Sequence, residues 1–92
     1  MPVFVSVPTL LRSYTHGSKR VQAQGQTVRE VVEDLERCYP GIRQRLMDEQ
    51  QLHRFINLYL NDEDIRFLDN LDTAVSDHDE LTLLHAVAGG AR

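Results

Sequence analysis

"TVREVVEDLERCYPG", Thr27 to Gly41, is the stretch that decides the fold. Thr27 is a good N-cap, and Glu30 three residues on completes a capping box. Val28, Val31, Val32, Leu35 and Cys38 recur at the spacing that places them on one helical face. Arg29, Glu30, Glu33, Asp34, Glu36 and Arg37 take the other face. Pro40 and Gly41 stop the helix. The pattern predicts one amphipathic helix with a single apolar stripe, and makes Cys38 a buried, inert thiol at the stripe's end. Such a stripe must lie against something, so the flanking sequence has to supply an apolar sheet face.

On the N-terminal side, "VFVSVP" (Val3 to Pro8) alternates Val3, Val5 and Val7 with Phe4 and Ser6, a period-two strand closed by Pro8. "TLLRSYTHGSK" reads as a turn, and "RVQAQG" (Arg20 to Gly25) as a second strand hairpin-paired with the first. On the C-terminal side, "IRQRLMDEQQL" holds one short helical turn and then a loop. "RFINLYLNDEDIRFL" predicts two strands around a turn at Asn61-Asp62, with Ile56, Leu58 and Leu60 on one side and Phe55, Asn57 and Tyr59 on the other. "DNLDTAVSDHDE" is acidic and turn-rich. "LTLLHAV" is the last strand, apolar on both faces and therefore central.

The order is strand, strand, helix, strand, short strand, strand. One helix on one sheet is the natural two-layer solution, and the helix-containing connection permits a parallel pairing of the last strand with the first. The expected fold is α+β: a β-grasp, ubiquitin-like architecture, with a mixed sheet of four to five strands and one main helix packed on one face. Residues 1–85 would form this domain, and 86–92 a flexible C-terminal tail.

Composition narrows the function. Ninety-two residues leave little room for a catalytic cleft with its own supporting shell, so the chain is not expected to be an enzyme. A net charge of −4 argues against nucleic-acid binding and is compatible with docking on a basic protein partner. No apolar run approaches membrane-spanning length. The single cysteine makes a reducing cytoplasm the expected location. His16 and His53 have no partners at ligand spacing, so no metal site is expected. There are nine arginines and one lysine, Lys19.

"VSVPTLLR", "LHRFINLYLNDEDIRFLDNLDTAV" and "AVAGG" resemble the ThiS/MoaD family of ubiquitin-like sulfur carrier proteins, and within it the CysO-type carriers of cysteine biosynthesis. With the capped helix, these stretches cover nearly the whole chain in the expected order. The resemblance implies a mechanism. An E1-like, MoeB/ThiF-type adenylyltransferase would use ATP to adenylate the C-terminal carboxylate of Gly90. Sulfide or a persulfide would displace AMP and leave a thiocarboxylate. That sulfur would pass to a sulfur-accepting synthase, in the cysteine pathway a PLP enzyme, and a JAMM-type metalloprotease would release the product. Other relatives serve specialised thio-metabolites. The resemblance also implies that His78 stands where a turn glycine is common, and His85 where a proline is frequent.

The tail fits this use physically. Glycine accepts backbone angles closed to other residues, so Val87, Ala88, Gly89 and Gly90 suit threading through a narrow channel. The five residues from Ala86 to Gly90 reach about 17 Å when extended. Gly90 is followed by Ala91 and Arg92, so its carbonyl is an amide and not a free carboxylate. Either cleavage between Gly90 and Ala91 trims a precursor, or the last two residues are foreign to the natural chain. The expected docking residues are Phe4, Phe55 and Tyr59 on the sheet face away from the helix, framed by Arg54 and Arg66. His85 at the root of the tail is expected to be a solvated histidine. Two other functions remain open on the residues: a ubiquitin-like modifier joined through Gly90 to target lysines, and a non-catalytic interaction module.

Overall fold

The computed structural model describes residues 2–85. Among these residues seven strands and two α-helices follow in chain order, with three short 3-10 turns between them: β1 (Val3–Ser6), β2 (Arg20–Ala23), α1 (Val28–Cys38), α2 (Ile42–Leu46), β3 (Met47–Asp48), β4 (Gln51–Leu52), β5 (Ile56–Leu60), β6 (Glu63–Asp64) and β7 (Glu80–His85). The main sheet has the order β2-β1-β7-β5-β6. β1 pairs antiparallel with β2 and parallel with β7, and β7 pairs antiparallel with β5. The last strand is thus central, and the sheet is the mixed, five-stranded one expected.

The core lies between one sheet face and α1. Val3, Val5, Val7, Ile56, Leu58, Leu81 and Leu83 are buried against Val28, Val31, Val32 and Leu35. Each fully buried aliphatic side chain contributes roughly 1.5–3 kcal/mol. Leu71 and Val75 of the acidic, turn-rich stretch also enter this core. The helix begins as the sequence indicates, because Thr27 Oγ1 accepts the Glu30 N–H at 3.2 Å. The reciprocal half of the box is displaced by one residue: the Glu30 carboxylate accepts the N–H of Gln26, at 2.8 Å, and not that of Thr27. Gly25 sets the approach of β2 to the helix. A Cβ there would stand 2.8 Å from the Val31 nitrogen, closer than any side chain is accommodated.

Two expectations are corrected. Cys38 is exposed, not buried; the helix's buried stripe ends at Leu35, and Cys38 sits in the last turn as the chain leaves the core. The segment after α2 is not a plain loop. β3 and β4 form a small antiparallel hairpin, Met47 opposite Leu52 and Asp48 opposite Gln51, with Glu49 at φ 61° in the turn.

Candidate functional site

β7 carries the chain toward its C-terminus, and its position fixes where that terminus leaves the domain. β7 is paired on both sides, and its last residue, His85, lies opposite Ile56 at the start of β5. The tail residues Val87, Ala88, Gly89, Gly90 and Ala91 lie outside the described residues. Everything the fold contributes to them is therefore at the root: a strand anchored in the middle of the sheet and ending at a known corner.

The face of the sheet away from α1 is partly polar. Register places Phe4 beside Glu80, Ser6 beside Thr82, Tyr59 beside Thr82 and Asn57 beside Leu84. Phe4 does not stand bare. The Arg20 guanidinium lies 4.0 Å from the centre of its ring, and His78 stacks near it at 6.4 Å. His78 has φ 70°, the left-handed turn conformation that glycine adopts most readily. Tyr59 is half-buried near β6, where Arg66 grips the Asp64 carboxylate at 2.6 Å and 3.1 Å. The Arg66 hydrogen bond holds the Asp64 carboxyl below its ordinary range; burial opposes this, and the Arg66 backbone N–H adds to it. The strongly exposed apolar side chain on this face is Leu84, at 44%, which the sequence reading did not single out. Its signal was present: a leucine out of phase with the buried Leu81 and Leu83.

Phe55 belongs to a different place. It lies at the corner where the tail leaves, lining a pocket of about 270 Å³ with Gln44, Arg45, His53 and His85. Arg54 stacks over the Phe55 ring at 4.8 Å, and His53 lies 5.4 Å from it. The His53 Nδ1 accepts the Phe55 N–H at 3.2 Å, leaving its other nitrogen directed away from that bond. His85 is not the solvated histidine expected. It is half-buried, and its Nδ1 is cut off from water with no hydrogen-bond partner among the described residues. The structure thus gathers Phe55, Arg54 and His85 at the tail exit, joined by Arg45 and His53. It leaves Phe4, Tyr59 and Arg66 along the sheet behind them. Among the described residues, no group of three or more His, Cys, Asp or Glu side chains is placed to hold a metal ion. Among the described residues, no helix is long and apolar enough to cross a membrane.

The last described residue of the central strand, His85, thus ends beside a compact corner lined by Phe55, Arg45 and His53. The chain as a whole is similar to known proteins. The ThiS family model matches residues 5–90. The chain is 54% identical over 93 aligned positions to the sulfur carrier protein CysO of Mycobacterium tuberculosis, covering 98% of this chain and all of that one. A chain in the crystal structure of the Amycolatopsis orientalis BexX/CysO complex superposes with a TM-score of 0.91 at 55% identity, covering 96% of this chain and 99% of that one. Small archaeal modifier protein 3 of Haloferax volcanii is 33% identical over 64 residues, 70% of each chain. The chain belongs to the ThiS family and is a CysO-like sulfur carrier protein.

Proposed function

We propose that Gly90, freed of Ala91 and Arg92, is the atom-bearing end of the carrier. A carboxylate is a poor acyl electrophile. Its oxygen attacks the α-phosphate of ATP in an E1-like adenylyltransferase, pyrophosphate leaves, and the acyl adenylate carries AMP as a good leaving group. Sulfide then attacks the acyl carbon, AMP departs, and the terminus holds a thiocarboxylate. The chain supplies no acid or base. It supplies reach, because about 17 Å of extended tail lets the domain dock outside while its end meets the nucleotide.

One observation carries this reading: the family match runs to residue 90 and stops at the second glycine. That favours a functional chain ending there, produced by a JAMM-type metalloprotease acting between Gly90 and Ala91 in the cytoplasm. The similar CysO chain was crystallised in complex with a second protein, BexX. This supports docking on a sulfur-accepting synthase, which for cysteine formation would use PLP. The residues proposed for docking are Phe55 and Arg54 at the tail exit, with Phe4, Tyr59 and Arg66 along the sheet.

The test is pyrophosphate exchange by the E1-like enzyme of the same cell. A chain ending at Gly90 should support exchange. The intact 92-residue chain, and a Gly90→Val variant of the trimmed chain, should not. Exchange on the intact chain with label on Arg92 would overturn the trimming step. The modifier relative supports a second reading, in which Gly90 forms isopeptide bonds; adducts on target lysines would distinguish it.

A further inference from the structure

Five arginines of the folded body are each closed on a carboxylate. Arg20 meets Glu80 at 3.0 Å, Arg29 meets Asp72 at 3.4 Å, Arg43 meets Glu33 at 2.7 Å and Arg66 meets Asp64 at 2.6 Å. Arg37 pairs with Asp34. Among the described residues, Arg12, Lys19, Arg45 and Arg54 have no such partner.

These four converge on one end of the sheet. Arg54 directly precedes Phe55 and the pairing of Ile56 with His85. Arg45 lines the same pocket as His85. The Arg12 Nε donates to the Val7 carbonyl at 3.0 Å, and the Val7 N–H donates to the Lys19 carbonyl at 2.8 Å. Val7 follows Ser6, which pairs with Thr82 of the parallel strand β7. Val7 therefore comes level with Leu83, two residues before His85. Leu10, 63% exposed, is in the turn between Val7 and Arg12. The Glu36 carboxylate, near the end of α1, is turned to the N–H groups of Gly41 and Arg43 and makes no ion pair with these four. The opposite end of the sheet is acidic, with Asp62 in the β5–β6 turn, Glu63 at the start of β6 and Asp79 beside Asn61. A chain of net charge −4 thus places the unpaired cations of its described residues where the last strand ends.

Clustered like charges repel, so this concentration works against folding and needs another explanation. We infer that Arg12, Lys19, Arg45 and Arg54 form a collar that docks on an acidic protein rim. The Asp- and Glu-rich rim surrounds the channel that takes the tail, with Leu10 and Leu84 as the apolar contacts inside the collar. The inference rests on the carrier reading above and reverses the expectation, drawn from net charge alone, of a basic partner. Opposite charge around the channel mouth steers the domain so that its tail points inward on encounter. A nucleic-acid partner is disfavoured by the acidic opposite end and the net negative charge.

Two measurements test this. In the first, the ¹⁵N-labelled full chain is titrated at low salt with poly-L-glutamate, and separately with a short DNA duplex. Glutamate should shift amides around Leu10, Arg12, Lys19, Arg45, Arg54 and His85. Shifts centred on Arg20, Arg37 or Arg43, or tighter binding of the DNA, would overturn the collar. In the second, the trimmed carrier is assayed with its adenylyltransferase. An Arg45→Gln/Arg54→Gln variant is compared with Arg37→Gln/Arg43→Gln, which has the same net charge. The first pair should lose about tenfold in kcat/KM at low salt, and the loss should shrink as salt rises. The control pair should stay within about twofold. Equal losses in both pairs, or no loss in the first, would overturn the inference. If the unsubstituted carrier fails to turn over, the carrier reading fails, and the glutamate titration still decides the collar. A chain lacking residues 86–92 should keep the glutamate shifts while losing adenylation.

Discussion

Leu83 and Leu84 are neighbours on the central strand and have opposite surroundings. Leu83 is 2% exposed, turned toward α1 among Val5, Leu58 and Leu81; Leu84 is 44% exposed on the other face, beside Asn57. The same contrast holds across the whole sheet. The helix side is apolar and closed. The open side mixes half-buried aromatics, polar strand residues and ion pairs, and ends at a corner of unpaired cations. The closed side makes the domain stable, and the open side and its corner are free to be used by partners. Substitutions on the two sides should therefore separate stability from carrier activity.

The largest effect on folding is expected at Leu83→Ala. It removes a buried side chain from the face packed on α1 and should cost about 2–5 kcal/mol in urea unfolding. A cost below about 1 kcal/mol would mean that the helix side is not the closed one. Gly25→Ala comes next, because its new Cβ would run into the backbone of α1 at Val31 and the Glu30 side chain. Overpacking of this kind should cost about 1–3 kcal/mol.

Asp64 tests the open side through pH. Its folded carboxyl is held below the ordinary value of 3.8 by Arg66. The stabilisation from this pair is therefore present above that value and lost as pH falls through the lowered folded one. Asp64→Asn should flatten the acid limb of the stability profile below about pH 4, as read by urea melts between neutral and acid pH. An unchanged acid limb would remove Asp64 from the account. The smallest effect on folding is expected at Leu84→Ala, within about 0.5 kcal/mol. In the docking proposed above, the same substitution should weaken the carrier's apparent affinity for an adenylyltransferase by about tenfold, through loss of an apolar contact inside the collar. A large stability loss there, or unaltered KM, would erase the distinction between the two faces.

The sequence makes one side of this comparison far more legible than the other. Periodicity carries the closed side: the helix stripe from Val28 to Leu35 and the alternating valines of β1 follow from burial on one face, which leaves a regular trace. Thr27 announces the helix start because an N-cap is a local hydrogen bond. The β3–β4 hairpin leaves no trace, since two-residue strands have no period. Cys38 misleads, because the helical pattern continues one turn beyond the core. The tail-exit corner assembles from residues far apart in the chain, Arg12, Lys19, Arg45, Arg54 and His85. Only the parallel pairing of β1 with β7 and the return of α2 bring them together. Phe55 and Arg54 were visible as an aromatic and a cation, and their partners Arg45 and His53 were not, because nothing local links them.

The most direct test is the intact mass of the protein isolated from its own cells. Loss of Ala91 and Arg92, together with replacement of one oxygen by sulfur at the new Gly90 terminus, is the predicted result. A chain that keeps Ala91 and Arg92 and carries no sulfur, under conditions in which its partner enzymes are active, would contradict it.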